Sequence, residues 1–204
     1  MRKFVFVTAL FVLIGALPSF AISSICNGIA GNLVSNCGFE SGSFSGWTTS
    51  GITGYDGVTG SYAHSGNEGA YFGNVTGQGL ATISQTFATT PGTYDLTYYL
   101  ENQQSCVGAT YTCSSFSDSF AGSTVYSATN QPAYPYTMFS SLVTATGSSS
   151  TLSFSFFQDP SYYGLDDVSL VRSSPSPVPE PSTLMLMGSG LLGLAGAAKR
   201  KLFA

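Results

Sequence analysis

The chain has 204 residues, of which only 8% are charged, and its formal net charge is −4 at pH 7; an average soluble domain carries about 25% charged residues. Five of the six basic residues lie at the extreme ends of the chain, and Arg172 is the sixth. Because nucleic acid is held mainly by Lys and Arg contacts to phosphate, this composition excludes a nucleic-acid partner.

The first 21 residues have the layout of a secretory signal peptide. A cationic start at Arg2 and Lys3 precedes the apolar run 4–17, and small residues follow up to Ala21. This layout predicts export, with cleavage after Ala21. An uncleaved anchor helix is the alternative, but the apolar run is shorter than the roughly 20 residues that span a bilayer.

Residues 22–172 are predicted to form one all-β domain. Five segments alternate apolar or β-branched residues with polar ones, which indicates half-buried strands. These segments are 80–87, 93–100, 136–146, 151–158 and 164–171. With about eight strands in all, they predict a two-sheet antiparallel β-sandwich of the jelly-roll type.

Four cysteines in an exported chain indicate two disulfides. They are Cys26, Cys37, Cys106 and Cys113. Of the three possible connectivities, we favour the sequentially local one, which pairs Cys26 with Cys37 and Cys106 with Cys113. Metal binding by these thiols is not expected, because the chain has no CxxC spacing and no companion His.

The C-terminus has three parts in a fixed order. A Pro/Ser linker at 173–178 leads into the motif Pro179-Glu180-Pro181, an apolar Gly-rich stretch at 183–198 follows, and the basic run Lys199-Arg200-Lys201 comes last. The apolar stretch predicts a short transmembrane helix, and basic residues at its end obey the positive-inside rule. Its length is marginal for a permanent membrane span.

This tripartite order resembles the PEP-CTERM sorting signal of Gram-negative, exopolysaccharide-producing bacteria over residues 179–204. The resemblance implies recognition by an exosortase, a membrane cysteine protease, and cleavage near Pro179-Glu180-Pro181. It predicts transient anchoring in the inner membrane, then release to the cell surface or to an extracellular matrix such as a biofilm. A plain C-terminal anchor that stays uncleaved is the alternative.

Three stretches of the β domain, 32–47, 63–73 and 163–170, contain Gly38-Phe39-Glu40, His64-Ser65-Gly66 and Leu165-Asp166-Asp167-Val168. They resemble the first strand, a middle stretch and the last strand of galactose-binding-like jelly rolls. That family includes many carbohydrate-binding modules, so the resemblance implies the sandwich fold and glycan binding.

The same resemblance implies one structural calcium where the first and last strands meet. Glu40 and Asp166 are then its side-chain ligands, with backbone oxygens near Ser65 and Gly66, because Ca²⁺ takes hard oxygen ligands. Neighbouring strand residues point to opposite sides, so only one of Asp166 and Asp167 is expected to face the ion. The alternative is that these carboxylates cap turns or face water.

Aromatic residues offer two roles in a secreted β domain, core packing and sugar stacking. By its place in the resembled motif, Trp47 is expected in the core. An exposed platform, if present, is expected to use tyrosines in predicted loops. The candidates are Tyr134, Tyr136, Tyr162 and Tyr163.

No catalytic constellation is recognisable in the sequence. His64 is the single histidine, and neither a Gly-x-Ser-x-Gly motif nor zinc-ligand spacing surrounds it. We therefore predict an exported, non-catalytic surface or matrix protein associated with glycan or exopolysaccharide. The alternatives are a structural matrix or adhesin domain without a ligand site, and a secreted hydrolase centred on His64.

Overall fold

Residues 23–173 are the part of the chain that the computed structural model describes. The predicted signal peptide at 1–21 and the predicted sorting segment at 179–204, with its helix and basic tail, lie outside the described residues. The chain divides into two units, Met1–Val171 and Arg172–Ala204, and the fold below belongs to the first. Between residues 23 and 173, no helix is long and apolar enough to cross a membrane.

The described residues form ten strands, numbered here in chain order, and two short 3₁₀ helices, Ile25–Gly28 and Gly60–Tyr62. The strands are β1 Thr48–Ser50, β2 Asp56–Thr59, β3 Gly69–Gly73, β4 Ala81–Ala88, β5 Gly92–Asn102, β6 Ser114–Phe120, β7 Ser123–Thr129, β8 Tyr134–Ala145, β9 Ser149–Gln158 and β10 Tyr162–Arg172. The five strands predicted from alternation correspond to β4, β5, β8, β9 and β10.

The strands make two five-stranded sheets. The first has the order β1-β4-β9-β6-β7 and the second the order β2-β3-β10-β5-β8. Strand pairs in both sheets run antiparallel, and most neighbours in a sheet are distant in sequence, as in a jelly roll. The predicted two-sheet β-sandwich is therefore confirmed.

The core lies between the sheets and is rich in aromatic residues. Along β9, Phe154 and Phe156 point inward while Ser153 and Ser155 point outward, because successive strand residues face opposite sides. The Phe156 ring stacks on Phe72 of the second sheet with the centroids 3.9 Å apart. On the outer face, hydroxyls pair across strands, as those of Thr82 and Ser155 do at 3.0 Å. Ser and Thr hydroxyls thus make the outer face of the sheet polar without adding charged side chains.

Removing one core ring tests this packing. Phe154 is fully buried, so Phe154→Ala is expected to lower the free energy of unfolding by about 3–5 kcal/mol through lost burial and the cavity left behind. Leu142→Ala is the control, because Leu142 is 70% exposed and its truncation should cost less than about 0.5 kcal/mol. Urea denaturation measures both, and equal losses in the two variants would contradict the packing described here.

Two disulfides join Cys26 to Cys37 and Cys106 to Cys113. The sequentially local connectivity is therefore confirmed. The first bridge attaches the 3₁₀ helix at the start of the described chain to the segment beside the last strand, where the Val168 N–H donates to the Cys37 carbonyl at 2.9 Å. The N-terminal segment is thereby held against β10.

Trp47 is a core residue, as predicted. Its side chain is only 7% exposed, and it stacks on Phe39 with the ring centroids 5.8 Å apart. A tilted contact to Phe154 connects it to the first sheet. Trp47 is therefore not available as an exposed sugar platform.

Strand β6 escapes prediction because its inner face carries a carboxylate. Asp118 lies between the inward-facing Phe116 and Phe120 and is 1% exposed, which interrupts the apolar alternation. Burial raises the pKa of Asp118 to about 6.

Candidate functional site

Three tyrosine rings cluster on the outer face of the second sheet. Tyr71 of β3 and Tyr162 of β10 alternate with buried residues and so point away from the core. Tyr62, from the 3₁₀ helix before β3, stacks on Tyr71 with the centroids 5.0 Å apart. The Tyr162 ring meets the Tyr71 ring edge-on at a centroid distance of 5.6 Å and the Tyr62 ring at 6.0 Å. All three are half-buried. We call Tyr62, Tyr71 and Tyr162 the tyrosine cluster.

Glycines in the sheet make room for these rings. A Cβ at Gly57 would lie 2.7 Å from the Tyr71 hydroxyl, and a Cβ at Gly73 would lie 2.6 Å from the Tyr162 ring. Each glycine pairs across the strands with the tyrosine that covers it. The Tyr71 and Tyr162 rings can therefore pack directly on the backbone of the neighbouring strand, so that the cluster forms part of the sheet surface.

Polar groups border the cluster. The Tyr62 hydroxyl donates to Gln103 Oε1 at 3.2 Å, and the Gln103 amide donates to Glu101 Oε1 at 3.1 Å. Burial raises the pKa of the Glu101 carboxyl, and burial with the charge of Glu101 raises the pKa of Tyr62 to about 12. At neutral pH, Tyr62 is therefore a protonated donor, and the three groups form one connected chain of hydrogen bonds.

Tyr136 crosses the sheet to fix the position of this cluster. Its hydroxyl donates to the Tyr62 carbonyl at 2.6 Å. It passes over Gly164 of β10, where an added Cβ would lie 2.5 Å from the Tyr136 hydroxyl and 2.7 Å from Glu101 Oε1. Tyr136 thus ties β8 to the 3₁₀ helix that carries Tyr62.

A cavity of about 330 Å³ adjoins the polar border of the cluster. Residues from the end of β5 and the start of β8 line it: Glu101, Asn102, Gln103, Ala133, Tyr134 and Pro135. The tyrosine cluster therefore lies beside a recess that has amide and carboxylate groups in its wall.

The four tyrosines predicted as candidates for a sugar-binding platform lie in different environments. Tyr162 lies in the cluster and Tyr136 supports it, whereas Tyr134 packs toward the core near Phe139. The prediction is wrong for Tyr163, which is fully buried, because alternation along β10 sends it inward next to the outward-facing Tyr162. Tyr62 and Tyr71 were not among the candidates.

A second polar site lies where β10 meets the loop before β3. Glu40 accepts the backbone N–H groups of Asn67 at 2.9 Å and Glu68 at 3.2 Å. Asp166 accepts those of His64 at 2.8 Å and Ser65 at 3.2 Å. Both predicted calcium ligands thus hold one loop, with N–H groups as their partners.

Asp167 contacts the same loop as its neighbour Asp166. Its carboxylate lies 2.7 Å from His64 Nδ1 and accepts hydrogen bonds from the hydroxyls of Ser65 and Ser24. Asp167 has φ +52°, a left-handed conformation that breaks strand alternation. The expectation that Asp166 and Asp167 diverge is therefore wrong: both are buried and both contact the His64–Ser65 segment.

The charge balance of this site bears on the calcium that the family resemblance implies. Burial and the charge of Asp167 raise the pKa of Asp166 to about 8, and Arg172 is the sole Lys or Arg in residues 23–173. The donor chemistry fits a divalent cation, which takes carboxylate and carbonyl oxygens. In the same residues, no group of three or more His, Cys, Asp or Glu side chains is placed to hold a metal. A calcium site here would depend on Glu40, Asp166 and backbone carbonyls.

His64 is held by its neighbours on both sides. Its ring stacks on Tyr99 with the centroids 3.7 Å apart, and its Nδ1 faces Asp167. The two nearby serine hydroxyls, those of Ser24 and Ser65, donate to Asp167. Tyr99 and Asp167 together therefore fix the orientation of the His64 ring.

Comparison with known families identifies the C-terminal segment. Residues 177–201 match the model of the PEP-CTERM protein-sorting motif, so the resemblance noted in the sequence is confirmed. The chain carries the sorting signal of an exported protein. No curated protein matches the chain in a sequence search.

The β domain is similar to solved carbohydrate-binding modules. One is TmCBM61 in complex with beta-1,4-galactotriose, at TM-score 0.50 and 19% identity over 70% of this chain and 99% of that one. Another is the Clostridium thermocellum Xyn10B CBM22-1-GH10 structure complexed with xylohexaose, at TM-score 0.50 and 17% identity. That match covers 71% of this chain and 29% of the Xyn10B chain. The Bacteriophage CBA120 tailspike protein 4 enzymatically active domain also matches, at TM-score 0.51 and 15% identity. That match covers 70% of this chain and 22% of the tailspike chain. These matches show a β-sandwich fold that the chain shares with carbohydrate-binding modules and with a tailspike domain.

Proposed function

We propose that this exported protein is a non-catalytic glycan-binding protein of the cell surface or extracellular matrix, and that glycan binds on the tyrosine cluster. The observation that carries the proposal is the cluster itself. Tyr62, Tyr71 and Tyr162 form one aromatic surface, kept low on the sheet by glycines and bordered by Glu101 and Gln103.

Sugar chemistry matches this surface. A pyranose ring has C–H groups on its faces, which pack against aromatic rings, and hydroxyls around its rim. Aromatic walls with a few placed polar groups are typical of small-ligand sites. Two of the similar solved structures hold bound oligosaccharides, which favours the same ligand class for this chain.

A binding screen tests the proposal. The full chain, purified in a detergent without a sugar headgroup, is passed over immobilised polysaccharides that include β-1,4-galactan, xylan and hydroxyethylcellulose. We expect retention on at least one of them. A chain that binds none of these, nor the polysaccharide of its own producer, would favour a structural matrix or adhesin domain without a ligand site.

The non-catalytic part of the proposal rests on His64. The contact between His64 Nδ1 and Asp167 is one that a hydrolytic triad would also have, but the serines beside it donate to that carboxylate, whereas a triad needs a hydroxyl against the other imidazole nitrogen. If a polysaccharide bound by the chain were cleaved, and His64→Ala abolished the cleavage, the chain would be an enzyme.

The sorting motif predicts processing by an exosortase-type protease. In a host that has the protease, we expect the mature protein to lose its C-terminal segment near Pro179-Glu180-Pro181 and to leave the inner membrane. Replacing the three motif residues by Ala should leave the chain uncleaved and membrane-bound, as intact mass and cell fractionation measure. Replacing Pro175 and Pro177 in the linker is the control. An unchanged mass in both the parent and the motif variant would indicate a permanent anchor.

We also propose one structural calcium at Glu40 and Asp166. Calcium would compensate buried carboxylates and fasten the 63–68 loop to β10. Native mass spectrometry should show one bound ion, and chelation should lower the melting temperature. Glu40→Gln should remove both effects, whereas Asp95→Asn, at an exposed position on β5, should keep them. No bound ion and no response to chelator would mean that the carboxylates only cap the loop.

A further inference from the structure

We infer that the tyrosine cluster selects neutral glycans over acidic ones, and that Glu101 is the residue that sets this selectivity. The inference rests on the proposed function, because it concerns the ligand class of the same surface.

Glu101 is placed where a ligand on the cluster would meet it. It lies on β5, the neighbour of β10 in the sheet, and its side chain extends over Gly164. The Gln103 amide holds one of its oxygens at 3.1 Å and connects it to the Tyr62 hydroxyl. The carboxylate is therefore held beside the rings, on the same outer face.

Within the described part of the chain, no cationic side chain lies near this carboxylate to offset its charge. Within residues 23–173, the single Lys or Arg is Arg172, which ends β10 while Tyr162 begins it. Ten residues of strand separate them by about 33 Å, several times the screening length of about 8 Å at physiological salt. The imidazole of His64 faces Asp167, a further acid.

The charge of the site therefore favours one class of sugar. A neutral glycan brings hydroxyl donors, and a half-buried carboxylate gains from each hydrogen bond it accepts. A uronate or sulfate group would instead meet a negative charge in a partly desolvated setting, where like charges repel more strongly than in water. An acidic polymer is disfavoured by the same group that orients a neutral one.

Matched polymers test this selectivity with the purified full chain in sugar-free detergent. Two pairs are used: hydroxyethylcellulose with carboxymethylcellulose, and β-1,4-galactan with its C6-oxidised form. We expect at least tenfold tighter binding to the neutral member, and affinity for the carboxylated member that rises with NaCl as the repulsion is screened. Glu101→Gln is expected to reduce the gap to threefold or less.

Asp95→Asn is the matched control, because it removes one negative charge from the same strand six residues away, and it should leave the gap unchanged. Equal affinity of the parent chain for both members of a pair, or an unchanged gap in Glu101→Gln, overturns the inference while leaving glycan binding intact. Failure of every polymer to bind overturns both the inference and the proposed function.

Discussion

Replacing Tyr162 by Ala is expected to weaken binding to a neutral polysaccharide by about thirtyfold, which corresponds to about 2 kcal/mol. The ring lies over Gly73 and contacts both other members of the tyrosine cluster. Its loss removes stacking area and leaves Tyr62 and Tyr71 less well supported. Isothermal titration calorimetry with the purified chain measures the change.

Tyr111→Ala is the control for this variant. Tyr111 is 64% exposed and lies in the loop between Cys106 and Cys113, so its loss should change the affinity less than twofold. Unfolding curves of both variants should match that of the parent chain within about 1 kcal/mol. If Tyr162→Ala bound as tightly as the parent, the cluster would not be the binding surface.

The second large effect concerns stability and pH. The pKa of Asp118 is about 6 in the folded chain and near 3.8 when unfolded. The folded state therefore holds a proton that the unfolded state releases between these values, so the Asp118 contribution to stability falls as pH rises from 4 to 6. The loss amounts to about 3 kcal/mol at most.

Asp118→Asn isolates this contribution. Asn resembles the protonated acid, so the variant should equal the parent in stability near pH 4 and exceed it by about 2 kcal/mol at pH 7.5. Chemical unfolding at the two pH values measures the difference, with Asp95→Asn as the control at an exposed site. A variant less stable than the parent at pH 7.5 would mean that the charged carboxylate stabilises the fold.

The sequence was sufficient for the fold because hydrophobic alternation along the long strands is clear. In β9, Phe154 and Phe156 face inward while Ser153 and Ser155 face outward, so the pattern and the structure agree along this part of the strand. It was insufficient for β6, where Asp118 occupies an inward position. An acidic residue at an inward position can be recognised as part of a strand only once its neighbours on the adjacent strands are known.

The candidate site was harder to predict, because it depends on which strands are neighbours. Tyr71 and Tyr162 are 91 positions apart in the sequence, and β3 and β10 bring them together. Each outward Tyr pairs with a Gly on the next strand, but this pairing becomes visible only once the neighbouring strands are known. For Asp166 and Asp167, alternation failed since the positive φ of Asp167 cannot be read from a strand pattern.

Ring-labelled NMR tests the location of the glycan site most directly. The chain has 12 tyrosines, and their labelled ring signals can be followed while a neutral oligosaccharide is added to the purified protein. We expect the signals of Tyr62, Tyr71 and Tyr162 to shift together in a saturable way, while that of Tyr111 stays unchanged. Binding that leaves these three signals in place would contradict a glycan site on the tyrosine cluster.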